Sequence, residues 1–132
     1  MITTNTALLL IAHGSRRSEA NAELVSIAES LRARGDWWHV QPCYLELAEP
    51  SIAAGGELCV GAGATAVVML PYFLSPGRHV VEDLAAARDG LAHRFPHVRF
   101  TLAAALGSHP LILEALVDRA REVTPSREGV AR

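Results

Sequence analysis

The chain has 132 residues, half of them hydrophobic, and a formal net charge of −2. Those values fit one domain with its own core, and they exclude a disordered chain and a basic nucleic-acid binder. All twelve basic residues are arginine, so Schiff-base lysine chemistry and the P-loop lysine are excluded as well.

The first apolar run, Ala7 to Ala12, is continuous, as expected of a parallel strand covered on both faces. Its short length and the lack of a basic segment before it argue against a signal peptide. Glu19 to Arg34 then reads as a helix, with Leu24, Ile27, Ala28 and Leu31 at helical spacing and Gly35 as its stop. Val40 to Leu45 is a second strand, although Pro42 removes one ladder donor. Pro50 is placed to begin a second helix that runs to Val60, with Gly55 and Gly56 weakening it.

Thr65 to Phe73 is the clearest strand, rich in β-branched and aromatic residues. A Ser75-Pro76-Gly77 turn leads to a third helix over His79 to Arg94. Val98 to Ala105 is the fourth strand and Pro110 to Glu122 the last helix. Residues 1–123 thus form one domain, and 124–132 read as a disordered tail. The order βαβαβαβα predicts an α/β fold, a four-stranded parallel sheet with helices on both faces.

In such sheets ligands bind beyond the carboxyl ends of the strands. The loops expected there carry His13, Gly14, Ser15, Arg16 and Arg17 after the first strand, and Glu46 and Glu49 after the second. Arg78, His79, Glu82 and Asp83 follow the third strand, and His109 follows the fourth. A histidine that ends a buried strand and precedes glycine has its side chain at the rim, which makes His13 a functional candidate. His79 opens a helix, and Glu82 and Asp83 lie three and four residues on, where they can orient it or simply favour the positive end of the helix.

The arginines suit an anionic ligand, Ser15 is a candidate helix cap, and His109 reads as a cap of the last helix. His39, His93 and His97 fall on the opposite side and read as surface residues. Cys43 and Cys59 have no metal or redox spacing and read as buried apolar residues of a protein in the reducing cytoplasm. No stretch is long and apolar enough to span a membrane.

Imidazoles with nearby carboxylates suit a first-row divalent metal with open coordination positions. HExxH, paired CxxC, GxSxG and GxGxxG are all absent. Ala12 stands where histidine phosphatases carry arginine, and a receiver domain would need a lysine.

Three stretches, LLLIAHGSRR, YLELAEPSI and VVMLPYFLSPGRHVVEDL, with LGSHPLI as a weaker fourth, resemble the small sirohydrochlorin chelatases of the CbiX/SirB family. The resemblance implies insertion of a divalent metal, with cobalt ahead of iron or nickel, into sirohydrochlorin in cobalamin or siroheme synthesis. It implies that His13 and His79 hold the metal, which is a substrate, with no organic cofactor. Glu46 is then the first candidate to accept the pyrrole protons, with Glu82 and Asp83 behind it. Ser15, Arg16, Arg17 and Arg78 would bind the substrate's carboxylates. A homodimer is implied, because longer chelatases contain twice this length. Gly55-Gly56 departs from typical members. A non-enzymatic metal or tetrapyrrole carrier would use the same residues.

Overall fold

A computed structural model describes residues 5–125, so the tail reading for 126–132 lies outside the described residues. The elements follow in chain order: β1 Thr6–Ala12, α1 Ser18–Ala33, β2 His39–Tyr44, α2 Ile52–Gly61, β3 Ala66–Pro71, α3 Arg78–Arg94, β4 Arg99–Leu102 and α4 Pro110–Val123. All pairings are parallel, and the strand order is β2-β1-β3-β4. The predicted α/β architecture is therefore present. Pro42 is accommodated because β2 is an edge strand, whose outer side needs no ladder donor.

Alternation along β1 divides the core. Leu8 and Leu10 face α1, where they pack with Leu24, Ala28, Val40 and Tyr44. Leu9 and Ile11 face the other way, in a cluster that holds Cys43, Ile52, Met69, Leu84 and Leu91. α1 thus covers one face, and α2 and α3 cover the other. Cys43 and Cys59 are buried free thiols. Burial pushes both upward, Cys59 to about 12, so they are inert packing groups.

Two expectations about α2 are corrected. Pro50 does not begin the helix; Ser51 is its N-cap and accepts a hydrogen bond from Ala54 N at 3.1 Å. Gly55 and Gly56 are not weak points but close-approach points. A Cβ on Gly55 would lie 2.9 Å from Cys43 Cβ and Leu9 Cδ1, and one on Gly56 would lie 2.6 Å from Leu91 Cδ2. The propensity lost to glycine is offset by close packing of α2 on the sheet and on α3.

α4 differs from the other helices. It buries no residue, and Leu111, Leu113, Leu116 and Val123 are exposed. Among the described residues no helix is long and apolar enough to cross a membrane.

Candidate functional site

The strand order reverses between β1 and β3, since β2 lies on one side of β1 and β3 on the other. The crevice at such a reversal opens at the carboxyl ends of the strands. Two candidate histidines belong to this rim. His13 follows β1 directly, and His79 is the second residue of α3, which follows β3. His39, His93 and His97 lie at the start of β2, the end of α3 and just before β4, hence at the opposite rim.

Hydrogen bonds beyond the named strands continue the sheet toward the site. Leu45 N donates to Ala12 O at 2.9 Å, Glu46 N to His13 O at 3.1 Å, and Tyr72 N to Ile11 O at 2.7 Å. His13 is therefore held from the β2 side, and the ring of Phe73 meets its imidazole edge-on at 5.6 Å. Gly14 has φ +96°, and a Cβ there would lie 1.7 Å from Glu46 O. Only glycine fits this turn, because a side chain would meet both a strained backbone and a fixed carbonyl.

Ser15 is not a helix cap. α1 has Arg17 as its N-cap with no side-chain cap bond, and Ser15 Oγ instead accepts from Arg17 N at 3.0 Å. Arg17 pairs with Glu19 at 2.8 Å, and Arg16 is exposed. His109 does cap α4, accepting from Leu111 N at Nδ1.

His79 is almost fully exposed, at 96 % of its side chain, with Nδ1 3.9 Å from Glu82. Arg78 also faces Glu82, at 3.5 Å. Because α3 begins at Arg78, Glu82 and Asp83 lie beyond the first turn, and their proposed role at the positive helix end is corrected. Glu46 and Asp83 are exposed at the rim. Among the described residues no three His, Cys, Asp or Glu side chains cluster closely enough to hold a metal ion. A metal at His13 or His79 would keep open positions for another ligand.

The sequence reading missed the surroundings of His13. A cleft of about 190 Å³ on the α1 side is lined by His13, Asn21, Glu23, Tyr44 and Tyr72. Tyr72 donates to Glu23 at 3.4 Å, and its hydroxyl is pushed upward by burial and by that carboxylate, so it stays protonated. Beyond Phe73 lie two apolar hollows that share Leu74 and Ile112, of about 340 and 620 Å³, between the loop after β3 and α4. The apolar residues of PYFL were the available signal for this surface. The first cleft has room for an ion with its waters, and the second region offers a larger, mostly apolar lining.

Comparison with known proteins agrees with this architecture. The CbiX family model matches residues 7–123. A chloroplastic sirohydrochlorin ferrochelatase of Arabidopsis thaliana is 36% identical over 124 residues, covering 94% of this chain and 55% of that protein. A sirohydrochlorin cobaltochelatase of Priestia megaterium is 34% identical over 120 residues, covering 88% of this chain and 38% of that protein. The chain thus spans about half the length of the curated relatives it matches or less.

Among solved structures, the sirohydrochlorin chelatase SirB from Bacillus subtilis subspecies spizizenii, in complex with cobalt, superposes with a TM-score of 0.82 at 28% identity. That match covers 90% of this chain and 51% of SirB. A cobalamin biosynthesis CbiX protein from Marinobacter aquaeolei VT8 superposes with a TM-score of 0.76 at 28% identity, covering 89% of this chain and 95% of that one. With the match running from within β1 to the end of α4, the chain belongs to the CbiX family.

Proposed function

We propose that this protein is a sirohydrochlorin chelatase that inserts a divalent metal into the tetrapyrrole. The observation that carries this reading is the pair of exposed histidines beside the strand-order reversal, His13 on the loop after β1 and His79 in the first turn of α3. In this reading both imidazoles hold the incoming metal ion, which is a substrate. Neutral imidazole binds such an ion, yet yields it to a macrocycle with four nitrogens. Cobalt is our first choice, with iron and nickel behind it; the relatives include both ferrochelatases and cobaltochelatases. The product serves cobalamin or siroheme synthesis accordingly.

Insertion replaces two pyrrole N–H protons with one dication, so a base must take the protons. Glu46 is the first candidate, because its backbone is bonded to His13 and its side chain is exposed at the rim. Glu82 and Asp83 are the alternatives, and Glu82 also orients His79. Arg16, Arg17 and Arg78, with the Ser15 hydroxyl, bind the carboxylates of the tetrapyrrole. Its apolar ring lies along the hollows that share Leu74 and Ile112.

We propose further that the chain works as a homodimer in the cytoplasm. The exposed leucines of α4 support a covering partner. The cytoplasm keeps the thiols of Cys43 and Cys59 reduced.

The decisive experiment is an anaerobic absorbance time course with protein, sirohydrochlorin and Co²⁺, beside a protein-free control. Many turnovers per protein above control are expected, followed by repeats with Fe²⁺ and Ni²⁺. A bound-tetrapyrrole spectrum without acceleration for all three metals would replace the enzyme with a carrier.

A further inference from the structure

The loop that carries His13 is fastened by the helix that follows it. Asn21 is the fourth residue of α1. Its side-chain amide grips the Ser15 peptide on both sides. Ser15 N donates to Asn21 Oδ1 at 3.0 Å, and Asn21 Nδ2 donates to Ser15 O at 2.7 Å. This double bond needs one donor and one acceptor side by side, which a primary amide supplies and a carboxylate or a hydroxyl does not.

The grip is itself anchored. The hydroxyl of Tyr44, a buried residue at the end of β2, donates to the backbone carbonyl of Asn21 at 2.8 Å. On the other side, the His13 carbonyl accepts from Glu46 N, and Gly14 leaves no room for a Cβ beside Glu46 O. The three consecutive residues from His13 to Ser15 are thus held in turn by the loop after β2 and by α1. Asparagine is a poor helix former, so its place inside α1 costs helix propensity. The bonds to Ser15 offset that cost.

We propose that Asn21 is a positioning residue that fixes the backbone presenting His13 and thereby aims this imidazole at the divalent metal. The metal part rests on the proposed chelatase function; the clamp itself does not. Asn21 touches neither metal nor tetrapyrrole in this assignment. It acts through the Ser15 peptide, two residues from the ligand.

The test compares the full chain with Asn21→Ala and Asn21→Asp. Asn21→Asp keeps the acceptor for Ser15 N but sets an oxygen against the Ser15 carbonyl, and it covers the case in which Asn21→Ala fails to fold. Amide exchange by NMR is read first, because it does not depend on chelation. In Asn21→Ala, exchange at Ser15 N–H should rise by at least tenfold. Exchange at Glu46 N–H, whose acceptor is His13 O, should rise with it. The His13 ring resonances should lose the shift imposed by the Phe73 ring.

Co²⁺ affinity without tetrapyrrole, read from the visible Co²⁺ spectrum, should fall by about tenfold, as when an outer support of a metal-bound histidine is removed. The kcat for insertion should fall with it. Unchanged Glu46 exchange and His13 shifts would overturn the clamp, whatever the activity. A changed KM for sirohydrochlorin with Co²⁺ affinity intact would assign Asn21 to the arginines instead. If wild type neither binds Co²⁺ nor inserts it, the chelatase reading fails while the exchange data still decide the clamp.

Discussion

His13 and His79 belong to the same rim, yet their backbones are held in opposite ways. The His13 carbonyl is bonded to Glu46 N, Gly14 abuts the Glu46 carbonyl, and Ser15 is gripped by Asn21. Its ring leans on Phe73. His79 sits in the first turn of α3 behind Gly77, an N-cap with no side-chain bond, and its own side chain is almost wholly exposed. One imidazole comes from a loop fastened by two neighbouring elements, and the other from the first turn of a helix whose N-cap has no side-chain bond, although Val80 beside it packs on the core. Under the proposed function, this division would serve a metal that must be caught and then surrendered. His13 would then define the site, and His79 would let the coordination change as pyrrole nitrogens replace protein donors.

The largest effect should come from the two histidines proposed as ligands. His13→Ala and His79→Ala should each abolish metal insertion in the absorbance assay. Unfolding free energies should stay within about 0.5 kcal/mol of wild type, because both side chains are exposed. Near-native turnover in both variants would remove the metal assignment, and with it the functional meaning of the comparison.

Gly14→Ala tests the fixed side. The new methyl would meet Glu46 O at a backbone of φ +96°. The strain alone should cost about 1–3 kcal/mol, and relief requires the loop to move His13. Both the unfolding midpoint and the insertion rate should fall, the latter by more than tenfold. A variant that folds and turns over like wild type would mean that the backbone at His13 need not be fixed.

This asymmetry explains what could be read beforehand. The alternating apolar runs carried the strand and helix order, and the end of a buried strand placed His13 at the rim, because both depend on local pattern. The clamp was hidden because Asn21 and Ser15 meet six residues apart across a helix entry, where the apolar period says nothing about a polar side chain. Gly55 and Gly56 read as weak helix positions because Leu9, Cys43 and Leu91, which need the space, come from three other elements. The hollow beside Phe73 requires the loop after β3 and α4 to come together, and periodicity carries no such information. Glu82 moved out of the first turn because α3 starts one residue earlier than expected, and Asp83 lies a residue further on.

A smaller effect concerns the arginines flanking the two histidines. Arg16, Arg17 and Arg78 are exposed, so the attraction for a polycarboxylate proposed for them is open to screening. The Debye length falls from about 10 Å at 0.1 M salt to about 3 Å at 1 M. The KM for sirohydrochlorin should rise several-fold over that range. Affinity for Co²⁺ alone should change little, since in the proposed site the ion is bound by the histidines and not by the arginines. A salt-independent KM would count against charge recognition by all three arginines.

The smallest effect lies on the adaptable side. Gly77 caps α3 with φ −72° and ψ 173°, an extended geometry open to any residue, and a Cβ there would have nothing within 4 Å. Serine at this position can accept a hydrogen bond from the first turn of α3, which glycine cannot do. Gly77→Ser should therefore stabilise the fold, but only by a few tenths of a kcal/mol, the usual margin between these two caps. Denaturant unfolding should show a slightly higher midpoint at unchanged slope, because the surface exposed on unfolding is the same. Insertion should persist, since the substitution adds a bond at the helix end without displacing His79. A fall in stability would show that the chain entering α3 is not extended at Gly77. A gain in stability accompanied by slower turnover would sharpen the comparison instead. It would mean that the freedom of the His79 turn, and not only its imidazole, takes part in giving up the metal.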